Sequence, residues 1–345
     1  IQYKHCEYSE VRRLLKLKGK NISCFPAKSL VLTPDGLKTI RNIEVGDLVL
    51  TGSNKFAKVK NKIDSKSQLL RIKGHGHPSF AVIKGQEILA SDYKRVKNPD
   101  TGKVERVFYK PTWIVAENMK GMFWASPAFF LKKEPPIDLN EDITWLIGAY
   151  IGNGFVNYNK INFLTNHFRD EELENRLDNL GIKLNKVQRG SIVEYYVIHA
   201  VLADWFKNTF NIGYGLKNIP FWIYGMDKKY RKSFFEGFIW GNGIFEDERY
   251  RTAVNNKYLA IGIKLIAQTL GYSTALYFYS SKKNKKRKAV WKIVAEINAR
   301  SSTVIGNNRF GLVREIDKIK RIYNVYGLEL DSGDSLIIDG IIVKI

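Results

Sequence analysis

The chain has 345 residues, enough for about two domains, and 44% of them are hydrophobic, which excludes a disordered tail protein. Lysine and arginine number 56 against 34 aspartates and glutamates, a net charge of +22, so the expected partner is a polyanion, most simply nucleic acid. A basic surface kept for solubility is the alternative. Two cysteines exclude a disulfide scaffold and a cysteine-rich zinc module, and no apolar run of about 18 residues predicts a membrane helix.

The first part of the chain is basic and then becomes rich in predicted strands. Residues 1–23 form a basic lead-in, in which Glu10–Lys18 predicts one short amphipathic helix. Residues 24–135 are predicted to be all-β, because short apolar runs alternate there with turn residues. Ser29–Thr33 is the first predicted strand, and a tight turn at Pro34–Gly36 follows it.

The middle of the chain has a different pattern of apolar residues from the part before it. A linker at Lys132–Pro136 leads into residues 136–300, where the helical period takes over. Two stretches of this segment carry the same order of predicted helices and strands, which indicates an internal duplication. Residues 301–345 return to short predicted strands, so we expect one domain to be inserted into another.

Two apolar helices of the duplicated segment end in the same tripeptide, Gly-Asn-Gly. Each helix also carries an earlier glycine, Gly148 or Gly237, which lets another backbone approach closely. A helix that is apolar all round must be buried. We therefore expect the two helices to pack together and to bring Asn153 and Asn242 to one end, on a pseudo-two-fold axis. Two unrelated core helices with glycine C-caps are the alternative.

The paired motifs resemble those of the LAGLIDADG homing endonucleases, over roughly residues 140–300. The resemblance implies a duplicated αββαββα domain whose two sheets form a saddle in the major groove of double-stranded DNA. In that family an aspartate normally stands at the positions of Asn153 and Asn242, the two aspartates hold Mg²⁺, and each active site cuts one strand. Lys292 matches the place where the family often has an active-site lysine.

The two asparagines depart from the family in a way that bears on its chemistry. A neutral amide is a weaker ligand for a hard cation than a carboxylate is. We therefore expect no metal between Asn153 and Asn242, and little or no cleavage, because the charge compensation of phosphodiester chemistry is lost. Glu246, Asp247 and Glu248 are candidate substitute acids, or else a solvated turn. The pair is either a natural loss of cutting or an engineered substitution, and the sequence leaves both open.

The flanking β-regions resemble the Hint fold of inteins. The matching stretches are Ser23–Gly36, Ile43–Leu50 and Asp339–Val343. Inteins commonly carry a LAGLIDADG domain inserted between the two parts of a horseshoe-shaped β-domain. That layout is the one inferred above, so the two resemblances support each other.

The residues that the intein resemblance assigns to splicing are mostly absent. Cys24 stands at the position of the nucleophile, but Lys94 replaces the histidine of the β-domain, and Lys344 and Ile345 replace the terminal His-Asn pair. A protonated lysine is not a neutral base, and isoleucine has no amide that can cyclise. The later Tyr-Asp block, matched by Tyr326–Glu329, lacks its aspartate. Cys24 is either a vestigial splicing nucleophile or a buried structural thiol.

Cations cluster at two places in the duplicated segment. One cluster is expected at a hairpin tip of the second repeat, where a saddle would meet phosphates; its members are Lys282, Lys283, Lys285, Lys286, Arg287 and Lys288. A solvated charge run is the alternative for it. The other cluster comprises Lys228, Lys229, Arg231 and Lys232, just before the second apolar helix. His75 and His77 are too few ligands for a zinc site, so a polar loop is expected there.

The preferred interpretation is an α+β protein in which an all-β Hint-like domain encloses a duplicated LAGLIDADG-type domain that binds double-stranded DNA, with structured RNA as the second choice. Cleavage and splicing are expected to be lost, and no cofactor is expected to be bound, whereas the active family uses Mg²⁺. The alternatives are a non-enzymatic regulatory or ribosomal-RNA-binding protein, an engineered inactive form, and an active splicing element. We expect a cytoplasmic monomer near the nucleoid or the ribosome and away from membranes. The scarcity of glutamine, methionine and cysteine favours a thermophilic source.

Overall fold

The computed structural model describes residues 23–100, 102–165, 170–189, 192–213, 216–280, 289–297 and 299–345. These residues divide into two compact units. One contains the residues up to Phe129 together with those after Ile297, and the other is Phe130–Ile297. The mixed α+β composition predicted from the sequence is confirmed.

The helices and strands follow in chain order. Strands β1 to β11 are Phe25–Pro26, Leu30–Thr33, Gly36–Thr39, Leu48–Leu50, Phe56–Gly74, His77–Ile83, Glu87–Ser91, Tyr93–Lys97, Val104–Phe108, Thr112–Val115 and Phe123–Pro127. Helices α1 to α6 are Glu141–Asn153, Asp170–Asn179, Ala200–Phe210, Phe221–Gly225, Lys228–Asn242 and Lys257–Thr269. Strands β12 to β19 are Gly154–Asn157, Lys160–Thr165, Leu184–Arg189, Ile192–Ile198, Gly243–Glu246, Arg249–Val254, Ser273–Tyr279 and Val290–Glu296. Strands β20 to β23 are Ser302–Ile305, Asn308–Leu330, Ser335–Ile338 and Ile341–Lys344.

The first unit is built on a large antiparallel sheet to which both ends of the chain contribute. Its strand order is β3-β2-β22-β23-β7-β11-β21-β5-β4, with β1 and β20 also paired to β21, β10 to β7, and β6 to β5. Strands β8 and β9 form a separate two-stranded sheet. Many apolar side chains of the large sheet are buried together in one core, and strands β2, β11 and β22 are buried at every position.

The sequence predicts only short strands after residue 300, and this prediction is wrong in part. Strands β22 and β23 are short, as expected, but β21 is 23 residues long and pairs from Val313 to Leu330 with the 19-residue β5. Residues 314–324 are mostly exposed, and their half-buried Ile316 and Ile319 are three positions apart, not two. The period-two pattern that marks a strand is therefore absent. Hydrogen bonds to β5, rather than burial, keep this stretch extended.

The polar loop expected at His75 and His77 is also a wrong prediction in part. His77 begins β6 and is 1% exposed. Its ring packs edge-on against Phe80 and Trp124, with centroids 5.7 and 6.5 Å away. The turn between β5 and β6 is so short, with Gly76 at φ 83°, that the histidine after it falls inside the core.

The second unit contains one arrangement twice. Helix α1, strands β12 and β13, helix α2 and strands β14 and β15 are followed later by helix α5, strands β16 and β17, helix α6 and strands β18 and β19. The two sheets have equivalent strand orders, β12-β13-β15-β14 and β16-β17-β19-β18. Helix α3 closes the first repeat, which thus has the order αββαββα. Among the described helices, none is long and apolar enough to cross a membrane.

Short-range sequence features explain these elements. Asn140 caps α1, because its side-chain oxygen accepts a main-chain N–H three residues on. Within β17, Thr252 and Val254 are buried and Ala253 between them is exposed, so this sheet has one buried face and one outer face. In β13, Ile161 and Phe163 are buried on one face; on the other face Asn162 is buried too, whereas Leu164 is exposed.

Candidate nucleic-acid interface

The two motif helices, α1 and α5, touch through their backbones. A Cβ atom added to Gly148 would lie 2.0 Å from the carbonyl oxygen of Phe234, and one added to Gly237 would lie 2.0 Å from that of Trp145. No side chain fits in either place, because the obstacle is main chain on the facing helix. The two glycines therefore set the spacing of the helices.

The close approach continues to the ends of the helices. A Cβ atom added to Gly152 would lie 3.4 Å from the main-chain nitrogen of Asn242, and one added to Gly241 would lie 3.2 Å from that of Asn153. The main chains at the two asparagines are therefore neighbours. This is the meeting point on which the pseudo-two-fold arrangement of the unit is centred.

Each asparagine side chain reaches from its helix to the same place in its own sheet. Asn153 Nδ2 donates to the carbonyl oxygen of Leu164, and Asn242 Nδ2 donates to that of Ala253 at 3.0 Å. Both acceptors are 11 residues beyond the asparagine. A carboxylate in this position would set an acceptor against an acceptor, an arrangement that needs a proton or a bridging cation. The amide nitrogen makes that cation unnecessary.

These residues do not fit a divalent metal ion. Both side chains are neutral amides, and their nitrogens rather than their oxygens face the nearby carbonyls. Hard cations are held mainly by carboxylates and other oxygens. Within the described residues, no group of three or more histidine, cysteine, aspartate or glutamate side chains is arranged to hold a metal.

The acidic run Glu246–Glu248 forms the turn between β16 and β17. Asp247 and Glu248 have φ angles of 50° and 59°. The carboxylates of Glu246 and Asp247 lie 2.6 and 3.6 Å from the guanidinium of Arg251. Since Asn242 precedes the other end of β16, these acids lie at the far end of the hairpin, and Glu246 and Asp247 are already paired.

The register of the sheets places Lys292 in the second half of the site. Lys292 lies opposite Ala253, the residue whose carbonyl accepts from Asn242. In the first repeat, Glu194 lies opposite Leu164 in the same way. The two halves thus carry opposite charges at equivalent positions. Sequence reasoning missed Glu194, because the equivalence appears only from the strand pairing.

Lys217 is a second residue that sequence reasoning missed. Its Nζ atom lies 2.5 Å from the carbonyl oxygens of Tyr150 and Gly154 and 3.4 Å from that of Ile151, at the C-terminal end of α1. It also lies 4.5 Å from the centre of the Tyr150 ring. Burial lowers the pKa of Lys217 to about 7. Nothing in its sequence context marks this lysine, which stands alone between the repeats.

The predicted basic clusters of this unit have different outcomes. Lys282–Lys288 falls outside the described residues, so the hairpin-tip prediction stays a prediction. Lys228, Lys229, Arg231 and Lys232 form the first turn of α5. Asn242 ends that 15-residue helix, so roughly 20 Å separates them from it. Arg231 donates to the carbonyl oxygen of Met226, and Lys232 pairs with Glu236 at 3.6 Å.

The β8–β9 hairpin of the first unit carries cations that the sequence patterns do not single out. Arg95 lies directly opposite Arg106, and Lys97 shares their face. Arg106 is held 5.1 Å from the centre of the Tyr93 ring and donates to the carbonyl oxygen of Arg300 at 2.6 Å. Like charges opposite each other destabilise a strand pair. A two-stranded ribbon is also an element that the major groove of DNA admits.

Cys24 lies in the core of the first unit and is 1% exposed. Burial, with a smaller effect from the charge of Asp64, raises the pKa of its thiol to about 12. The thiolate is the nucleophilic form of cysteine. At neutral pH this side chain is therefore a poor nucleophile.

The other positions that the intein resemblance singles out are spread over the first unit. Ser23 Oγ donates to the carbonyl oxygen of Lys344 at 2.7 Å, so the residue before Cys24 lies beside the end of the sequence. The Nζ atom of Lys344 pairs with Glu87 at 3.2 Å. Ile345 packs partly buried against the core, whereas Lys94 is exposed on β8.

No family model matches the sequence, and no curated protein matches it. Solved structures are similar over about half of the chain. Mesophilic variants of the homing endonuclease I-DmoI match at 14% identity with a TM-score of 0.35, over 46% of this chain and 89% of theirs. I-DmoI in complex with DNA and Mn matches at 14% with a TM-score of 0.32, over 46% and 90%. The N-terminal LAGLIDADG domain of DUF199/WhiA matches at 12% with a TM-score of 0.33, over 48% and 80%.

Proposed function

We propose that the unit Phe130–Ile297 is a LAGLIDADG-type module that binds double-stranded DNA and does not cut it. The observation that carries the proposal is the pair of amides. Asn153 and Asn242 meet at the ends of two helices in backbone contact, and both amide nitrogens donate to main-chain carbonyls at equivalent positions. The site is therefore complete without a metal ion.

The outer faces of the two four-stranded sheets are the proposed contact with DNA. Helices cover one face of each sheet, and the other face is left for a partner. Outer positions include Lys160 in the first repeat and Lys292 in the second. Cations in these places neutralise phosphates and release counterions. We propose that Lys282–Lys288 adds phosphate contacts of the same kind.

Loss of cutting follows from the same amides. Hydrolysis of a phosphodiester needs positive charge beside the developing oxyanion, which paired carboxylates supply by holding divalent cations. Asn153 and Asn242 offer neutral amides, which are weak ligands for such cations, and Glu246 and Asp247 are paired with Arg251. The two asparagines of this site are suited to orienting and holding the backbone of a nucleic acid rather than to activating water.

The first unit is proposed to derive from an intein Hint domain that no longer splices. The position of the nucleophile holds a buried thiol with a raised pKa, Cys24. Lys94, Lys344 and Ile345 cannot supply the base or the cyclising amide. Expression of the chain between two reporter proteins tests this, because joined reporters would contradict it. The basic β8–β9 hairpin would give the unit a nucleic-acid contact of its own.

Binding titrations of the full chain test the main proposal. We expect fluorescence anisotropy to show tight binding of duplex DNA and a steep fall of log K with log salt. Replacement of the six cations of Lys282–Lys288 by serine should flatten the slope. A binding constant that does not change with salt concentration would contradict binding through the phosphates of the nucleic acid.

Cleavage is tested on the same complexes. Bound duplex should stay intact with Mg²⁺ or Mn²⁺. The variant N153D/N242D should gain metal affinity, and it should recover cutting only with Lys292 in place. Site-specific, metal-dependent cutting by the unmodified chain would overturn the loss of activity and make Glu246–Glu248 the next candidates.

Structured RNA is the second candidate partner, and one observation favours it. Tyr277 and Tyr279 lie on the outer face of the second sheet, are 45% and 57% exposed, and have ring centroids 6.5 Å apart. Lys292 lies opposite Tyr277. Exposed rings on a four-stranded sheet can stack unpaired bases, which a duplex does not offer. The variant Y277S/Y279S should weaken a looped RNA and leave duplex DNA unchanged if this partner is the right one.

A further inference from the structure

Lys217 places an ammonium group at the C-terminal end of α1, the helix that carries Asn153. We propose that its ammonium group is the resident cation of the first half, and that it keeps a divalent ion away from Asn153. The proposal rests on the proposed function, because it concerns the site of the asparagine pair. It extends the account from the missing carboxylates to a residue outside both motifs.

The position of the ammonium group supports this role. Its three carbonyl acceptors belong to Tyr150, Ile151 and Gly154, which flank Asn153 in the sequence. The last turn of a helix exposes carbonyl oxygens and the negative end of the helix dipole. A cation is the natural partner of that end. In this protein the ammonium group of Lys217 is the cation at the C-terminal end of α1.

The charge has no carboxylate partner. Among the described residues, no ion pair involves Lys217, and its contacts are main-chain oxygens and the face of the Tyr150 ring. Burying an ammonium group without a carboxylate is costly. A methionine or leucine would fill the same space without that cost. The free-energy cost of burying the Lys217 ammonium group is therefore explained if its charge has a role at the C-terminal end of α1.

Other contacts hold Lys217 in place. Its own carbonyl oxygen accepts from Asn256 Nδ2 at 2.7 Å, and Asn256 caps α6 of the second repeat. Asn211 is paired with Lys217 across a short bridge and accepts from the hydroxyl of Tyr150 at 3.2 Å. The main chain of Lys217 is therefore held by residues on either side of it, and its ammonium group contacts the end of α1.

The corresponding end of α5 has a different donor. There the hydroxyl of Thr252 donates to the carbonyl oxygen of Asn242 at 2.5 Å. A hydroxyl is neutral, so it does not repel a metal ion as an ammonium group does. The donors at the two helix ends thus differ in charge, although the two asparagines make equivalent hydrogen bonds.

Metal binding without DNA tests the proposal separately from nucleic-acid binding. Mn²⁺ is titrated calorimetrically at pH 6 into the full-length variants N153D, N153D/K217M, N242D and N242D/K217M, with K217M alone as the control. We expect removal of Lys217 to tighten Mn²⁺ binding at least tenfold in the N153D background and clearly less in the N242D background. K217M alone should bind no Mn²⁺.

Three results would overturn the proposal. These are equal Mn²⁺ affinity of N153D with and without Lys217, no binding by either variant, and equal gains in the two aspartate backgrounds. Circular dichroism checks that each variant is folded, and K217Q replaces K217M if the methionine variant is not. Because DNA is absent, a failure of DNA binding would count against the proposed function alone.

Discussion

Alanine at Gly148 or Gly237 should separate the two motif helices. The added Cβ atom would lie 2.0 Å from a main-chain oxygen of the facing helix, roughly 1.5 Å short of ordinary contact. Alanine gains about 1 kcal/mol over glycine in a helix, whereas overpacking costs about 1–3 kcal/mol and more when backbone must move. We expect each substitution to lower the free energy of unfolding by about 2 kcal/mol. The double variant should lose less than twice that, because one separation relieves both clashes.

Urea unfolding followed by tryptophan fluorescence measures these losses. Gly262→Ala is the matched control, since its added Cβ atom would meet the side-chain ends of Tyr224 and Ile219, which are able to shift. It should stay within about 1 kcal/mol of the unmodified chain. The reasoning is refuted if Gly148→Ala and Gly237→Ala are no more destabilising than this control.

Three further predictions concern charge. The pKa of Lys217 is about 7 in the folded chain and 10.5 in the unfolded chain, so folding should release a proton between these pH values. The free energy of unfolding should therefore rise with pH in that window, by up to about 1.4 kcal/mol per pH unit. The urea midpoint of the K217M variant should not show this rise. In a C6S background, Cys24 should react with a disulfide reagent at pH 8 only as fast as the protein unfolds, and fast labelling of the folded state would contradict its pKa of about 12. Serine at Arg95 and Lys97 should lower the salt slope of duplex binding by about 2, whereas serine at Lys84 and Lys120 should leave it unchanged.

The sequence predicts the architecture of the second unit well, because its two apolar helices and their terminal tripeptides repeat. Gly148 and Gly237 indicate a backbone contact, and the structure has one at both positions. Local pattern suffices here, because each element buries one regular face.

Features that depend on pairing between distant segments cannot be predicted from local sequence patterns. Strand β21 is held extended by β5 through a stretch that has no alternation of its own. The equivalence of Glu194 and Lys292 exists only in the register of two sheets. Lys217 is a single loop residue whose role depends on where the chain between the repeats crosses the end of α1. No spacing rule connects it to Asn153.

The central claim is that the asparagine pair belongs to a site that binds duplex DNA without metal and leaves it intact. The most direct test incubates the full chain with a library of random duplexes, with and without Mg²⁺, and sequences both the bound molecules and all new ends. We expect enrichment of a shared sequence among bound, uncut duplexes, and the same enrichment with metal as without it. New ends at a fixed position in the enriched sequence, appearing only with Mg²⁺, would contradict it.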